Sequence, residues 1–255
     1  MEDVVSQPAP GIGKVVARMH GSTLGQKALM AVTGILLIGF AFGHMAGHLQ
    51  MLLGVCMGPN ATHEDKALAY NTYAHFLQSL GGIKWAVRFG LLGVTILHVF
   101  SAAQVSMRNR AARPIQYEVN KWLAASIGAR SMRASGAIVL FFIGYHLLHF
   151  TVLAVGTAGF PADDTFKLAN GLMVDDVYAR MVVSFKQPLL TLIYVGGVGL
   201  LSLHLSHGIS SSLQTLGLLN STYRPFVKKV GPALAGLLFA GFASVPLAIL
   251  AQLVK

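Results

Sequence analysis

The chain has 255 residues, of which 54% are hydrophobic and only 11% are charged, and its formal net charge is +10. A water-soluble domain carries about 25% charged residues, because its surface must stay hydrated. The composition therefore excludes an ordinary soluble domain and a disordered chain, and it indicates a membrane protein. The single cysteine, Cys56, excludes a disulfide framework and an iron–sulfur cluster bound by this chain alone.

Residues 1–27 are polar and lack the short apolar core and cleavage site of a secretory signal peptide. We interpret them as a cytoplasmic N-terminal segment that precedes one transmembrane domain at 28–255. Five segments of that domain lack Asp, Glu, Lys and Arg over the roughly 20 residues that a helix needs to cross a bilayer. We expect an all-α membrane protein whose first four helices form a bundle. The predicted spans are 28–55, 83–107, 133–157, 187–215 and 230–254.

The distribution of Lys and Arg predicts the orientation of the spans. With the N-terminus on the cytoplasmic side, 12 of the 19 Lys and Arg residues fall on that side. We therefore expect a multi-pass protein of a bacterial-type inner membrane with a cytoplasmic N-terminus. The loop between Arg108 and Arg133 is strongly basic. It either follows the positive-inside rule alone or docks a soluble partner or cofactor carboxylates, whereas nucleic-acid binding does not fit this distribution.

Histidines are frequent for so apolar a chain, and seven of the ten lie within the predicted spans. An ionisable residue is costly to place inside a membrane, so each of the seven is a candidate functional residue. The first four spans carry them and the fifth carries none. They are His44 and His48 in the first span, His98 in the second, His146 and His149 in the third, and His204 and His207 in the fourth.

Position along the spans sorts four of these histidines into two levels. His44 and His146 lie about 14 residues from the cytoplasmic end of outward-running spans. His98 and His204 lie about 14 residues from the outer end of inward-running spans, which places their level roughly 10 Å lower. Two levels with two imidazoles each predict two bis-histidine sites, and two haem b groups are the expected occupants.

Three of the spans carry a further histidine about one helical turn away, namely His48, His149 and His207. Each could be the true ligand, a hydrogen-bonding neighbour that supports the ligand, or an interfacial residue that contacts quinone. A lone histidine in a membrane helix is more often a hydrogen-bonded packing residue than a ligand. We therefore interpret these three first as supporting or packing residues.

Several stretches around these histidines are similar to one membrane-protein family. They are KALMAVTG at 27–34 followed by GHM at 43–45, YAHFL at 73–77, His98 with RNRAARP at 108–114, RSMRASG at 130–136 followed by YHLLH at 145–149, and LHLSHG at 203–208. Over about residues 22–250 the chain resembles the five-helix dihaem cytochrome b subunit of succinate:quinone oxidoreductases. That family is the complex II family, which comprises succinate dehydrogenases and fumarate reductases.

The resemblance implies that His44 and His146 hold the iron of an outer, distal haem, and that His98 and His204 hold the iron of an inner, proximal haem. It implies two partners on the cytoplasmic side, a flavoprotein subunit and an iron–sulfur subunit, in a complex that can form a higher oligomer. The succinate/fumarate chemistry would lie in those partners. This chain would anchor them and pass electrons to membrane quinone, either menaquinone or ubiquinone. Some relatives have an acidic residue for proton transfer where this chain has Ser202.

Basic residues at the cytoplasmic ends of the first three spans are expected to reach the haem propionates. These residues are Lys27, Arg108, Arg130 and Arg133. Polar residues after the first span are candidates for a distal quinone site, because quinone reduction needs a nearby proton donor. These residues are Glu64, Asp65, Tyr70 and His75. A proximal quinone site near the cytoplasmic ends of the helices is the alternative.

Two other classes of membrane protein stay open as alternatives. One is a different respiratory membrane cytochrome b, which would place two ligands about four turns apart on each of two helices. No predicted span shows that spacing. The other is a polytopic transporter that uses clustered histidines for a proton or a metal ion without haem. It would be expected to carry acidic residues within the spans, and the last three spans have none.

Overall fold

The computed structural model describes residues 21–56, 62–112, 115, 125–160 and 163–254. Most of the expected N-terminal segment, residues 1–20, lies outside this described part. The described residues form seven α-helices and one two-stranded antiparallel sheet. In chain order they are α1 (Thr23–Cys56), α2 (His63–Ser79), α3 (Gly82–Ala111), α4 (Ile127–Phe150), β1 (Thr165–Lys167), β2 (Met173–Asp175), α5 (Val177–Phe185), α6 (Pro188–Thr215) and α7 (Arg224–Leu250).

Five of these helices, α1, α3, α4, α6 and α7, are long and apolar enough to cross a membrane. The expected all-α membrane fold with five spans is therefore confirmed. Pro188 occupies the first turn of α6, where its missing N–H costs no helical hydrogen bond. The boundaries of the third span differ most from expectation.

The third span begins earlier than its predicted start at residue 133. Ser126 caps the helix, since its Oγ accepts a hydrogen bond from the Ala129 N–H at 3.1 Å. The first turns of α4 therefore include Arg130 and Arg133, which the charge-free criterion excluded from the span. A membrane helix can carry such residues in its terminal turns because long basic side chains extend toward water.

The same span ends earlier than its predicted end at residue 157. The N–H of Val152 bonds back to the carbonyl of Leu147 at 2.8 Å, and Leu153 leaves the helix with a φ of +59°. The segment after Phe150 is apolar and uncharged, so the absence of charge could not reveal where the helix stops.

The long helices form two pairs that meet along one side. α3 packs chiefly against α1, and α4 packs chiefly against α6. The pairs meet where α1 packs against α6, and α7 covers both of these helices. α3 and α4 do not pack extensively against each other. Among the described residues, the four histidine-bearing helices therefore form a bundle in which α3 and α4 have little direct contact.

One end of the bundle, where α1 ends and α3 begins, is covered by α2, α5 and the β1–β2 hairpin; we call it the capped end. Asn71, which is fully buried, joins two of these elements. Its Nδ2 donates to Asp176 Oδ1 at 2.9 Å, and its Oδ1 accepts from the Tyr178 N–H at 3.0 Å. Arg180 pairs with Asp164 and with Asp175 and so holds the hairpin on α5.

The opposite end, where α1, α4 and α7 begin, is strongly basic, and we call it the basic end. The Lys and Arg residues described there are Lys27, Arg108, Arg110, Arg130, Arg133, Arg224, Lys228 and Lys229. The acidic residues in the described part of the chain all lie at the capped end. They are Glu64, Asp65, Asp163, Asp164, Asp175 and Asp176.

Candidate functional site

The structure brings the four principal histidines together in the two pairs that the sequence predicts. The ring centroids of His44 and His146 are 5.9 Å apart, and those of His98 and His204 are 6.5 Å apart. Each pair joins helices that lie diagonally across the bundle, α1 with α4 and α3 with α6. We call His44 and His146 the capped-end pair, and His98 and His204 the basic-end pair.

The spacing of both pairs suits two imidazoles that share one metal ion. A metal–imidazole nitrogen bond is about 2.0 Å, and the ring centroid lies roughly 1.1 Å behind that nitrogen, so centroids on opposite sides of one metal are about 6.2 Å apart. The observed distances of 5.9 Å and 6.5 Å lie on either side of this value. The donor set, two neutral imidazoles in an apolar bundle, is that of a low-spin b-type haem.

Hydrogen bonds orient both rings of the basic-end pair. His98 Nδ1 lies 3.1 Å from the Met30 carbonyl oxygen and 3.1 Å from Thr33 Oγ1. His204 Nδ1 lies 3.3 Å from Ser135 Oγ. Within the described residues, the Nε2 atom of neither ring has a hydrogen-bond partner. Both rings are therefore anchored through Nδ1, and each leaves Nε2 available to a metal ion.

Two glycines let neighbouring helices approach these rings closely. A Cβ atom on Gly34 would lie 3.2 Å from His98 Cε1, and a Cβ atom on Gly136 would lie 3.2 Å from His204 Cε1. Contacts this short force the neighbouring atoms to move. The backbone of α1 thus supports the His98 ring, and the backbone of α4 supports the His204 ring.

The capped-end pair has a different environment. His48 Nε2 lies 3.2 Å from His44 Nε2, and His48 Nδ1 lies 3.0 Å from the Tyr70 hydroxyl oxygen. Metal ligation through His44 Nε2 would replace the hydrogen bond to His48. His146 lies among aromatic rings, with its centroid 5.8 Å from that of Phe150. His48 therefore lies beside the pair and connects it to α2.

His149 contacts two neighbouring helices. It is fully buried, its Nδ1 lies 2.9 Å from the Tyr194 hydroxyl and its Nε2 lies 3.2 Å from Ser184 Oγ. Both ring nitrogens are thus engaged by α6 and α5. Next to the ring, Gly156 has a φ of +70°, and a Cβ atom there would lie 2.9 Å from His149 Cδ2. The chain therefore needs glycine at this position for both its backbone conformation and its contact with His149.

Glycines near the histidines fall into two groups. A Cβ atom on Gly47 would collide with Tyr73, and one on Gly197 would collide with Phe142, so these two glycines allow close helix packing. Gly43 and Gly144, next in sequence to His44 and Tyr145, are exposed and have no described atom within 4 Å of a would-be Cβ. These two glycines therefore lie on the outer surface of their helices.

The four expected propionate residues lie together at the basic end. Lys27 is in the first turns of α1, Arg108 is in the last turn of α3, and Arg130 and Arg133 begin α4. The Arg108 side chain donates to the Gly21 carbonyl at 3.1 Å, so one of its N–H groups already tethers the start of the chain's described part.

The four expected quinone residues all lie on α2, two of them in its first turn, but their side chains face different directions. Glu64 and Asp65 are exposed, and Asp65 forms a capping box with Thr62. Tyr70 is only 5% exposed and faces the bundle, and burial raises its pKa above the ordinary value. His75 faces the hairpin, where it lines a cavity of about 270 Å³ together with Gln78 and Asp175. These four residues do not form one cluster.

Sequence reasoning missed Thr33 and Ser135, because hydroxyl residues are common in membrane helices and carry little pattern by themselves. The spacing does contain a signal. Met30, Thr33 and Gly34 precede His44 by the same intervals as Met132, Ser135 and Gly136 precede His146. The same spacing thus occurs in α1 and in α4, and in each of these helices the hydroxyl side chain contacts a histidine of the basic-end pair.

No family model, curated protein or solved structure matches this chain.

Proposed function

We propose that the protein is a membrane electron-transfer subunit that binds two haem b groups. The observation that carries this proposal is the presence of two diagonal histidine pairs with the centroid spacing of a bis-imidazole metal site. His44 and His146 would hold one iron, and His98 and His204 would hold the other. When bound, such a group supplies a one-electron couple with no coordination position open to oxygen.

The residues of this chain would position the two groups and shield them from water. Four helices contribute one ligand each, so the ligand geometry depends on helix packing rather than on loops. The ring of Phe40 stacks on His44, and the rings of Phe242 and Phe150 lie tilted against His44 and His146, so that the capped-end pair has apolar neighbours. Lys27, Arg108, Arg130 and Arg133 at the basic end would neutralise haem carboxylates, because charge-assisted hydrogen bonds are the stronger class.

We further propose that the protein acts within a succinate:quinone oxidoreductase, the family that the sequence motifs resemble. In this proposal a flavoprotein subunit and an iron–sulfur subunit dock at the basic end, which faces the cytoplasm of a bacterial-type inner membrane. Electrons would enter at the basic-end pair and could reach the capped-end pair. Within the described residues, the basic end carries eight basic side chains and no acidic ones, and this distribution supports the proposed orientation.

The quinone, menaquinone or ubiquinone, would bind at either end of this electron path. Tyr70 is the expected residue with the most direct connection to a histidine pair, because its hydroxyl contacts His48. Glu64, Asp65 and His75 lie nearer the surface of the capped end than Tyr70 does. A basic-end quinone site stays the alternative.

Haem content and spectrum test the central proposal. We expect the purified protein to show a reduced b-type spectrum and two haems per chain by pyridine haemochrome analysis. Replacing His98 or His204 with Ala should remove one haem, and replacing His44 or His146 should remove the other. A colourless protein would contradict the proposal and favour a histidine-using transporter.

His48→Ala and His207→Ala are matched controls, since each lies about one turn from a proposed ligand. Both variants should retain two haems. Loss of a haem from a control while its neighbouring ligand variant keeps both would show that the ligand is one turn away.

The partner proposal has its own test. Affinity purification of the tagged chain from its native membrane should recover a flavoprotein and an iron–sulfur protein, and the complex should reduce quinone with succinate. A dihaem protein that purifies without such partners would leave the haem proposal intact and overturn the assignment to this complex.

A further inference from the structure

We propose that Thr33 and Ser135 are positioning residues that hold the proton of His98 and of His204 on Nδ1, so that both Nε2 atoms face the shared site. This inference rests on the proposed binding of haem by the basic-end pair. It concerns residues that are neither ligands nor neighbours of the ligands in sequence, and each of them acts from the adjacent helix.

The direction of the hydrogen bonds follows from the partners of each hydroxyl. Thr33 Oγ1 lies 2.8 Å from the Leu29 carbonyl oxygen, and Ser135 Oγ lies 2.9 Å from the Ser131 carbonyl oxygen. A carbonyl oxygen can only accept, so each hydroxyl donates its proton back to its own helix. The hydroxyl oxygen is then left as an acceptor for the imidazole, which must donate from Nδ1.

A second acceptor reinforces the same tautomer at His98. The Met30 carbonyl oxygen lies 3.1 Å from His98 Nδ1, and it too can only accept. An imidazole that donates from Nδ1 carries its lone pair on Nε2. That is the nitrogen that the basic-end pair leaves without a partner within the described residues.

Gly34 and Gly136 make the arrangement rigid. Each follows directly after the hydroxyl residue, and a Cβ atom on either would lie 3.2 Å from Cε1 of the ring that the hydroxyl contacts. Hydroxyl and glycine together hold a ring by one hydrogen bond and one close backbone contact. Neither ring can turn freely without breaking both.

The combination of a hydroxyl residue followed by a glycine occurs on two helices, at the same spacing from the histidine of that helix. This repetition independently supports a shared role. Thr33 and Gly34 lie on the helix that carries His44, and Ser135 and Gly136 lie on the helix that carries His146. Each of α1 and α4 therefore supplies a ligand to the capped-end pair and positions a ligand of the basic-end pair. A shift of either helix would affect both sites.

An acceptor on Nδ1–H makes the imidazole a stronger electron donor and favours the oxidised metal. Removing the hydroxyl should therefore raise the midpoint potential of the haem held by the basic-end pair. We expect Ser135→Ala to change the one-electron reduction equilibrium about tenfold, which corresponds to ~59 mV. Thr33→Val should shift it in the same direction by less, because the Met30 carbonyl still accepts from His98 Nδ1. Both haems should be retained, since the ligands themselves are unchanged.

The experiment is a redox titration of both haems in the purified holoprotein, with low-spin electron paramagnetic resonance spectra of each. Thr33→Ser and Ser135→Thr restore the hydroxyl and should restore the potential.

Ser131→Ala and Thr95→Ala are matched controls, because their hydroxyls donate to backbone carbonyls of their own helices, Ile127 and Leu91, in the same way. The controls should leave both potentials unchanged.

The expected result is a shift confined to one haem and shared by the Thr33 and Ser135 variants. The inference is overturned if neither potential moves, if the controls move it equally, or if the haem of the capped-end pair shifts instead. A wild-type protein without haem would overturn the proposed function together with this inference, whereas haem with unmoved potentials would overturn this inference alone.

Discussion

The Tyr70 hydroxyl lies 3.0 Å from His48 Nδ1, which joins the cap helix α2 to the histidine that neighbours the capped-end pair. His48 Nε2 in turn lies 3.2 Å from His44 Nε2. A continuous chain of three polar side chains thus runs from the cap into the bundle. Tyr70 is 5% exposed, so its hydroxyl has little access to water as a replacement partner.

Tyr70→Phe should perturb the capped-end pair and leave the basic-end pair unchanged. The substitution leaves His48 Nδ1 without its phenol partner, and an unpaired buried polar group costs about 1–3 kcal/mol. We expect a lower thermal unfolding midpoint and an altered spectrum of one haem. Tyr223→Phe is the control, because Tyr223 is exposed. A change in the haem held by His98 and His204 would contradict the prediction.

His149→Leu should destabilise the protein without removing haem. The substitution leaves the Tyr194 hydroxyl and Ser184 Oγ without their buried imidazole partner, at a cost of about 1–3 kcal/mol for a buried unpaired group. Thermal unfolding and haem quantitation on the same sample measure both effects. Loss of one haem with unchanged stability would instead identify His149 as a ligand.

Gly34→Ala and Gly136→Ala should lower haem occupancy at the basic-end pair. The added methyl group would lie 3.2 Å from the ring of His98 or His204, so the ring must move away from its present position. Gly39→Ala is a matched control on α1, because its Cβ would meet no described atom within 4 Å. Equal haem loss in the control would show that helix propensity, not ring contact, is responsible.

The pairing of the histidines could be predicted because it depends only on helix rise and chain direction. His44 and His146 share a depth whatever the details of packing. The hydroxyls of Thr33 and Ser135 could not be assigned in this way, since their role depends on which helices become neighbours. The sequence did not predict the helices α2 and α5 at the capped end. Tertiary contacts hold these two helices, such as the contact of Asn71 with Asp176, and neither helix has a long apolar pattern.

The capping box at the start of α2 should weaken in acid. The Thr62 side chain and backbone N–H donate to Asp65 Oδ2 at 2.7 and 2.9 Å, and these bonds lower the Asp65 pKa below its ordinary value of 3.8. Because the pKa is lower when folded, the stabilisation is present above pH 3.8 and is lost as the pH falls through the lowered pKa.

Hydrogen exchange of the first turn of α2, corrected for intrinsic rates, measures this effect. Protection should fall in acid in the wild-type protein. Asp65→Asn should have lower protection at neutral pH and little further loss in acid. Identical pH profiles for the two proteins would contradict the assignment of this effect to Asp65.

The basic end should face the cytoplasm and the capped end the opposite side of the membrane. Lys and Arg resist transfer across the membrane during insertion, whereas acidic residues contribute little to orientation.

In a Cys56→Ser background, a single cysteine can report each end. Thr72→Cys on α2 and Ser221→Cys before α7 both replace exposed residues. A membrane-impermeant maleimide added outside intact spheroplasts should label Thr72→Cys and spare Ser221→Cys, and inside-out vesicles should show the reverse. Labelling of Ser221→Cys from outside would invert the topology and place the proposed partner-docking surface on the wrong side of the membrane.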